Sequence, residues 1–325
     1  VQNNSVVKPL QGRGRVNGSA SLIRPIPDSD KGVVMSQALW PRYSHISTYD
    51  MAACSIDTAI RNAVSIGGNV KHMALMDNFC WCSSDDPKRL SQLRDAAEAC
   101  YDYATSYLTP YISGKDSMFN DFKGFDKESN KVKISVPPTL MISSIGVVDD
   151  VKKSQTMDFK FAGDLLYIVG ETKDELGGSE FYNILGKLGK NVPKVDCVKN
   201  KRVYEKMHNL FGKDIVSASI SVERGGISIA LAKMAIASGL GVDADLSGIS
   251  GISFGRKMYS ESQGRFIVSI DPEMRDEFEK EMEGFDIFMI GKVTEEGFNI
   301  SDKEEELSLD VEELDKKYRE RFADY

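Results

Sequence analysis

The stretch Thr109-Pro110-Tyr111-Ile112-Ser113-Gly114-Lys115-Asp116-Ser117 carries a short apolar strand into a glycine followed by a cation, a carboxylate and a hydroxyl. A strand that breaks at glycine lets a ligand approach the backbone. The three side chains behind it offer a positive charge, an acceptor or metal ligand, and a donor. This is how α/β enzymes present a phosphate site, and the same residues also make an ordinary solvated turn. The pattern on either side decides between the two.

Upstream, Val70 to Met76 reads as a buried strand that ends at Asp77-Asn78. Asp85-Asp86-Pro87 then supplies an N-cap region with proline near the first turn. Leu90, Leu93, Ala97, Cys100 and Ala104 line one face of the helix it opens. The resulting strand, helix, strand unit predicts Asp77 and Gly114 at strand ends, where ligands collect in open α/β sheets. Further upstream, Ser19 to Ile26 and Gly32 to Leu39 read as strands. Ala52, Ile56, Ala59, Ile60 and Ala63 mark a helix stopped by Gly67-Gly68, and the residues before Ser19 read as a loose arm. Downstream, residues 121–133 read as an exposed loop and Leu140 to Val148 as a strand, after which Asp149 to Ser154 breaks the pattern.

The second half restarts with the buried run Leu165 to Gly170. Two glycine pairs then lead into helices, Gly177-Gly178 before Ser179-Glu180 and Gly225-Gly226 after Glu223-Arg224. Each pair serves either an anion at a helix N-terminus or close packing of helix on sheet. Strands near Phe266 to Ile270 and Ile287 to Ile290 complete the unit, and Ser301 to Tyr325 reads as a solvated helix. The expected division is an arm (1–17), an N-terminal domain (18–153), a C-terminal domain (154–304) and a charged tail (305–325).

At 325 residues, two domains are the prior expectation. Hydrophobic residues make up 41% and charged residues 28%, with no apolar run near the roughly 18 that a membrane span requires. A net charge of -8 argues against a broad nucleic-acid surface, so any phosphate must be held locally. The scattered Cys54, Cys80, Cys82, Cys100 and Cys197 form no disulfide framework and favour a reducing cytoplasm. No export signal is visible, and a start at Val1 without an initiator Met is read as a piece of something longer.

Several motifs now stand in order: Pro41-Arg42-Tyr43, Ile60-Arg61-Asn62 with Gly67-Gly68, Met76-Asp77-Asn78-Phe79-Cys80-Trp81, Thr109 to Ser117, Pro137-Pro138-Thr139, Glu175 to Ser179, and Tyr259-Ser260-Glu261-Ser262-Gln263-Gly264-Arg265-Phe266. As an ordered set over almost the whole chain they resemble phosphoribosylformylglycinamidine synthase, and specifically the C-terminal half of that tandemly duplicated enzyme. The resemblance implies an α/β (α+β) two-domain unit like aminoimidazole ribonucleotide synthetase, with an N-terminal barrel-forming sheet domain and a C-terminal α/β sandwich. It implies an ATP-dependent ligase of purine biosynthesis that converts formylglycinamide ribonucleotide to the amidine with glutamine-derived ammonia. The partners it implies are the first half of the enzyme, a glutaminase subunit and a small accessory subunit; an isolated half is expected to self-associate through its N-terminal domain.

Residue by residue, Asp77, Gly114 and Lys115 match nucleotide-binding positions, and Ser117 matches a position that reaches substrate. Mg2+ is expected mainly through the missing first half, because the ammonium of Lys115 cannot ligate a cation. A second, auxiliary nucleotide site of larger family members maps to Asn62 and Ser221. Its carboxylates are replaced by Thr58 and Ser221, so that site is expected to be degenerate and empty. No catalytic residue is assigned: the family histidine lies in the first half, and His72 is read as a structural residue on a buried strand. Two other readings compete, a self-sufficient homodimeric ATP-using enzyme of the same superfamily and a non-catalytic scaffold half.

Overall fold

The computed structural model describes residues 4–320. Chain order in the first part is β1 (Ser5–Val7), β2 (Leu10–Gln11), β3 (Val16–Asn17), β4 (Ala20–Ile23), β5 (Gly32–Leu39), α1 (Thr48–Ser65), β6 (Met73–Cys80), α2 (Pro87–Tyr107), β7 (Tyr111–Ser117), β8 (Asp121–Phe125), β9 (Lys131–Ser135) and β10 (Thr139–Val148). Six of these strands form one sheet in the order β1-β4-β5-β10-β6-β7. Only β6 and β7 pair in parallel, because α2 is the crossover that returns the chain to the same end of the sheet.

The second part runs β11 (Leu165–Val169), α3 (Glu180–Ile184), α4 (Cys197–Gly212), β12 (Ala218–Ser221), α5 (Gly226–Ser238), β13 (Gly241–Asp245), α6 (Phe254–Tyr259), β14 (Phe266–Ile270), α7 (Arg275–Glu281), β15 (Ile287–Thr294), β16 (Phe298–Asp302), β17 (Glu305–Leu309) and α8 (Val311–Glu320). Its sheet is seven-stranded, in the order β12-β14-β11-β15-β13-β16-β17.

Helix α1 explains how the two parts join. Ser47 caps it by accepting from the Asp50 N–H, and its residues are buried on every side, polar ones included. One side lies on β5 and β10, where Ser36 and Ser144 both donate to the Ala59 carbonyl. Another side meets β12 and α4. A helix enclosed in this way must satisfy its polar side chains internally.

Among the described residues, the outer face of the first sheet has no such cover. Val33, Met35 and Gln37 on β5 alternate with the buried Val34, Ser36 and Ala38, and Ile145 and Val147 on β10 lie opposite Met35 and Val33.

Several expectations are corrected. Asp77 and Gly114 do not end strands: both strands continue, and the two residues face each other in register. Residues 121–135 are a β8–β9 hairpin rather than a loop, with Phe122 opposite Ile134. The arm is paired, not loose. Ser5–Val7 adds to β4, and Gly14 donates to the Ala237 carbonyl at the end of α5. The tail is strand before it is helix, since β16 and β17 extend the second sheet before α8 packs on α5. The rest of both terminal segments, residues 1–3 and 321–325, lies outside the described residues. His72 sits exposed on a 3-10 turn before β6, because the strand starts at Met73, later than the apolar run suggests.

Candidate functional site

The predicted nucleotide residues lie at the β7 edge of the first sheet, and the strand period divides them between its two faces. Asp77 shares the helix-covered face with the buried Leu75 and Phe79, and Gly114 is its neighbour across the ladder. Asp77 Oδ1 occupies the space where a Cβ at position 114 would stand, so glycine is required there by the carboxylate itself. The Asp77 carboxylate also accepts from the Lys115 backbone N–H; burial, aided by Asp116, nevertheless raises its pKa. Lys115 and Ser117 project from the opposite, open face, beside Asn78 and Cys80, and the Lys115 ammonium donates to the Ser117 hydroxyl. The structure therefore brings Asp77 to Gly114 and Lys115 to Ser117, with the sheet between the pairs.

The auxiliary positions are occupied by the protein's own side chains. Ser221 Oγ accepts from Arg61 Nε at 2.8 Å, and Asn62, one residue further along α1, is buried with its Oδ1 unpartnered. Arg61 is fully buried. Its remaining donors reach Asp57 Oδ2 at 2.6 Å, Gln263 Oε1 at 3.2 Å, Thr58 Oγ1 at 3.3 Å and the Val222 carbonyl at 3.1 Å. Asp57 Oδ1 in turn accepts from the Tyr107 hydroxyl at 2.5 Å, the Tyr204 hydroxyl at 2.6 Å and Asn200 Nδ2 at 2.8 Å. This saturation is what permits a charge pair at zero exposure, since an uncompensated buried charge is costly.

Both glycine pairs of the second domain are explained by packing. A Cβ on Gly226 would stand 2.5 Å from the Met258 carbonyl oxygen, and one on Gly177 would stand 2.5 Å from the Asn191 carbonyl carbon. The backbone N–H groups of Gly225 and Glu180 are used as well. Both donate to Glu261 Oε1, at 2.9 and 3.0 Å, while the Tyr43 hydroxyl donates to Oε2 at 2.6 Å. A buried carboxylate from the Tyr259 to Phe266 stretch thus fills the place an anion would take, with its pKa raised by burial.

Sequence reasoning gives no role to Tyr107 or Tyr204, quotes Glu261 only within the Tyr259 to Phe266 motif, and weighs Asp57 only as a candidate metal carboxylate of a self-sufficient enzyme. The only local signal was the i,i+4 spacing of Asp57 and Arg61 on a helix, a pattern shared with ordinary surface pairs. Among the described residues, no group of three or more His, Cys, Asp or Glu side chains could hold a metal ion. Lys115, at the predicted nucleotide edge, carries a positive charge and offers no ligand to Mg2+.

Residues 162–303 match the family described as AIR synthase related protein, C-terminal domain. Phosphoribosylformylglycinamidine synthase subunit PurL of Methanocaldococcus jannaschii is 30% identical over 99% of this chain and 43% of its own length. A structure of Thermotoga maritima PurL complexed with FGAR superposes with a TM-score of 0.74 at 17% identity, covering 94% of this chain and 49% of that one. A chain of a HypE–HypF complex matches with a TM-score of 0.65 at 13% identity, covering 90% of this chain and 93% of that one. The fold is accordingly the mixed α/β architecture of the AIR synthase type, and the chain spans somewhat less than half the length of the PurL proteins it matches. Residues 162–303 thus match the AIR synthase related C-terminal domain, and the chain is similar over nearly its whole length to phosphoribosylformylglycinamidine synthase subunit PurL.

Proposed function

We propose that the chain is the C-terminal half of a phosphoribosylformylglycinamidine synthase, acting with a first half, a glutaminase subunit and a small accessory subunit in the cytoplasm. The observation that carries this reading is the proportion of the match: 99% of this chain aligns with 43% of a PurL protein. The order of motifs from Pro41 to Phe266 assigns the half. The reaction is ATP-dependent conversion of formylglycinamide ribonucleotide to its amidine. ATP phosphorylates the amide oxygen, and ammonia displaces the phosphate.

In this reading the β7 edge supplies part of a composite site. Asp77, in the space that Gly114 leaves for its carboxylate, offers an acceptor to the nucleotide, Lys115 a positive charge to its phosphates, and Ser117 a hydroxyl to substrate. The Lys115 to Ser117 hydrogen bond presents the last two together on one exposed surface. The Arg61 to Ser221 hydrogen bond, which engages one auxiliary position from within the protein, supports the reading that the auxiliary site takes no nucleotide. Residues 18–153 and 154–304 act as the two domains, a division supported by sheets that end at Val148 and resume at Leu165.

The uncovered face of the first sheet is where the other half, or a second copy, would pack. A groove of about 420 Å³ there is lined by Ala20, Met35, Met76 and Ile145 beside Gln37 and Ser143, and an apolar surface of that kind seldom stays bare.

The test is turnover. The isolated chain with ATP, ammonia and formylglycinamide ribonucleotide is expected to be inactive and to gain activity when the first half is added; full turnover by the chain alone would defeat the composite-site argument. In the assembled complex, Asp77→Ala is expected to weaken nucleotide binding, and unchanged affinity would favour the scaffold reading.

A further inference from the structure

The β8–β9 hairpin stands apart from both sheets: its strands pair with each other and, among the described residues, with no third strand. A two-stranded ribbon alone is marginal in water, and this one is held in shape by its ends rather than by burial. At the tip, Asp126 Oδ1 accepts from the backbone N–H groups of Glu128 and Asn130, both at 2.9 Å. At the base, Asp121 Oδ2 accepts from the Ser83 N–H at 3.2 Å. What lies between is presented to solvent, with Phe122 58%, Phe125 67% and Ile134 61% exposed.

The strand period sorts the ribbon into two unlike faces. On one, Lys123 lies opposite Lys133 and Phe125 opposite Lys131. Like charges directly opposite each other destabilise a ladder. Only Lys133 has an acid to offset this, Asp121 at 3.3 Å; among the described residues Lys123 and Lys131 have no ion-pair partner. The hairpin's other acids, Asp126 and Glu128, stand at the tip, where the Asn130 amide donates to both. The second face is apolar. Phe122 lies opposite Ile134, and its ring reaches over Gly124, where a Cβ would stand 2.6 Å from Phe122 Cζ. A groove of about 390 Å³ runs along Lys123, Phe125, Lys131, Val132 and Lys133.

A peptide that adds to the free edge of a ribbon takes on its alternation. Beside β9 it would set every second side chain against Lys131 and Lys133, and the others against Val132 and Ile134. We propose that the hairpin is a docking ribbon for an extended segment of a partner protein in which acidic and apolar residues alternate. Charge selects a protein over a nucleic acid: the basic face is one ribbon wide on a chain of net charge -8, whereas a phosphate backbone is held by broad clusters of Lys and Arg. The surface uses none of Asp77, Gly114, Lys115 or Ser117 and does not rest on the enzymatic reading above.

The experiment titrates the full chain into a fluorescein-labelled short peptide alternating glutamate and valine, read by fluorescence anisotropy. Binding is expected. The double variant Lys131→Glu, Lys133→Glu is expected to weaken it about tenfold, because two attractive cross-strand pairs become repulsive. The same peptide with lysine in place of glutamate is expected to stay unbound. No binding of the acidic peptide, equal affinity for the double variant or for the lysine peptide, or tighter binding of a labelled oligothymidine of the same length would overturn the proposal. Both lysines are exposed, so the variant is expected to fold as wild type. Should it not, hydrogen exchange of the wild-type chain decides: slower exchange of the β9 amides on adding the peptide supports the ribbon, and unchanged exchange there refutes it.

Discussion

Replacing Asp57 with alanine is the most severe single change the structure predicts. The substitution removes the acceptor of four hydrogen bonds, from Arg61, Tyr107, Tyr204 and Asn200. Leaving a fully buried arginine without its counter-charge costs about 3–5 kcal/mol. Each orphaned hydroxyl or amide adds about 1–3 kcal/mol, although groups sharing one network do not sum independently. A total near 5 kcal/mol or above is therefore expected, a large share of the roughly 5–15 kcal/mol that holds a folded protein together. Urea titration followed by far-ultraviolet circular dichroism and tryptophan fluorescence measures it. Combining Asp57→Leu with Arg61→Met removes both charges and is expected to destabilise less than Asp57→Ala alone. A loss below about 1 kcal/mol for Asp57→Ala, or a double variant worse than the single, would show that the network does not carry the junction of the two sheets.

Gly114→Ala forces the Asp77 carboxylate from its position and is expected to lower nucleotide affinity of the assembled enzyme about tenfold while barely moving the melting temperature; calorimetric titration reads the first and thermal unfolding the second. Asp77 has a raised folded-state pKa, so its contribution to stability is present below the unfolded carboxylate range and is lost as pH rises through the folded value. Asp77→Asn should therefore melt higher than wild type at pH 7 and level with it near pH 3, and the same Tm difference at both would contradict the burial argument. The proposed self-association of the isolated chain through the uncovered sheet face is expected to be lost in Met35→Lys without loss of fold, and unchanged sedimentation of the variant would contradict it.

How much of this could be read from the sequence depends on where each signal resides. Strands β5, β10, β11 and β14 are legible because an alternating or continuous apolar run needs only local information. The Asp86 cap of α2, with Pro87 at its first turn, is equally local. The hairpin at 121–135 was hidden because its strands bury little, leaving Phe122, Phe125 and Ile134 exposed among lysines, and an exposed ribbon has the composition of a loop. The candidate site divides in the same way. Gly114-Lys115-Asp116-Ser117 announces itself as a motif, but which face each residue takes follows from the register of β7 against β6, and no single strand encodes that.

The polar core shows the limit most plainly. Asp57, Arg61 and Asn62 stand on a helix whose apolar period is complete without them, and a reading by amphipathicity sends such residues to solvent. They are buried because α1 is enclosed by both sheets, and the partners of Asp57 and Arg61 come from β12, α4, the end of α2 and the turn after α6, as many as 202 residues away. Arg61, Glu261 and Gln263 are thus the residues by which the two sheets recognise each other. Arg61 also engages Ser221, one of the two positions to which the auxiliary nucleotide site, expected to be empty, maps. An Arg61→Ala substitution meant to reopen that site would instead leave Asp57 as an unpaired buried charge, with only its tyrosine and amide donors to hold it. Changing Asp57 and Arg61 together is expected to cost less stability than Arg61→Ala alone, and a single Arg61→Ala chain that stayed fully stable would refute this coupling.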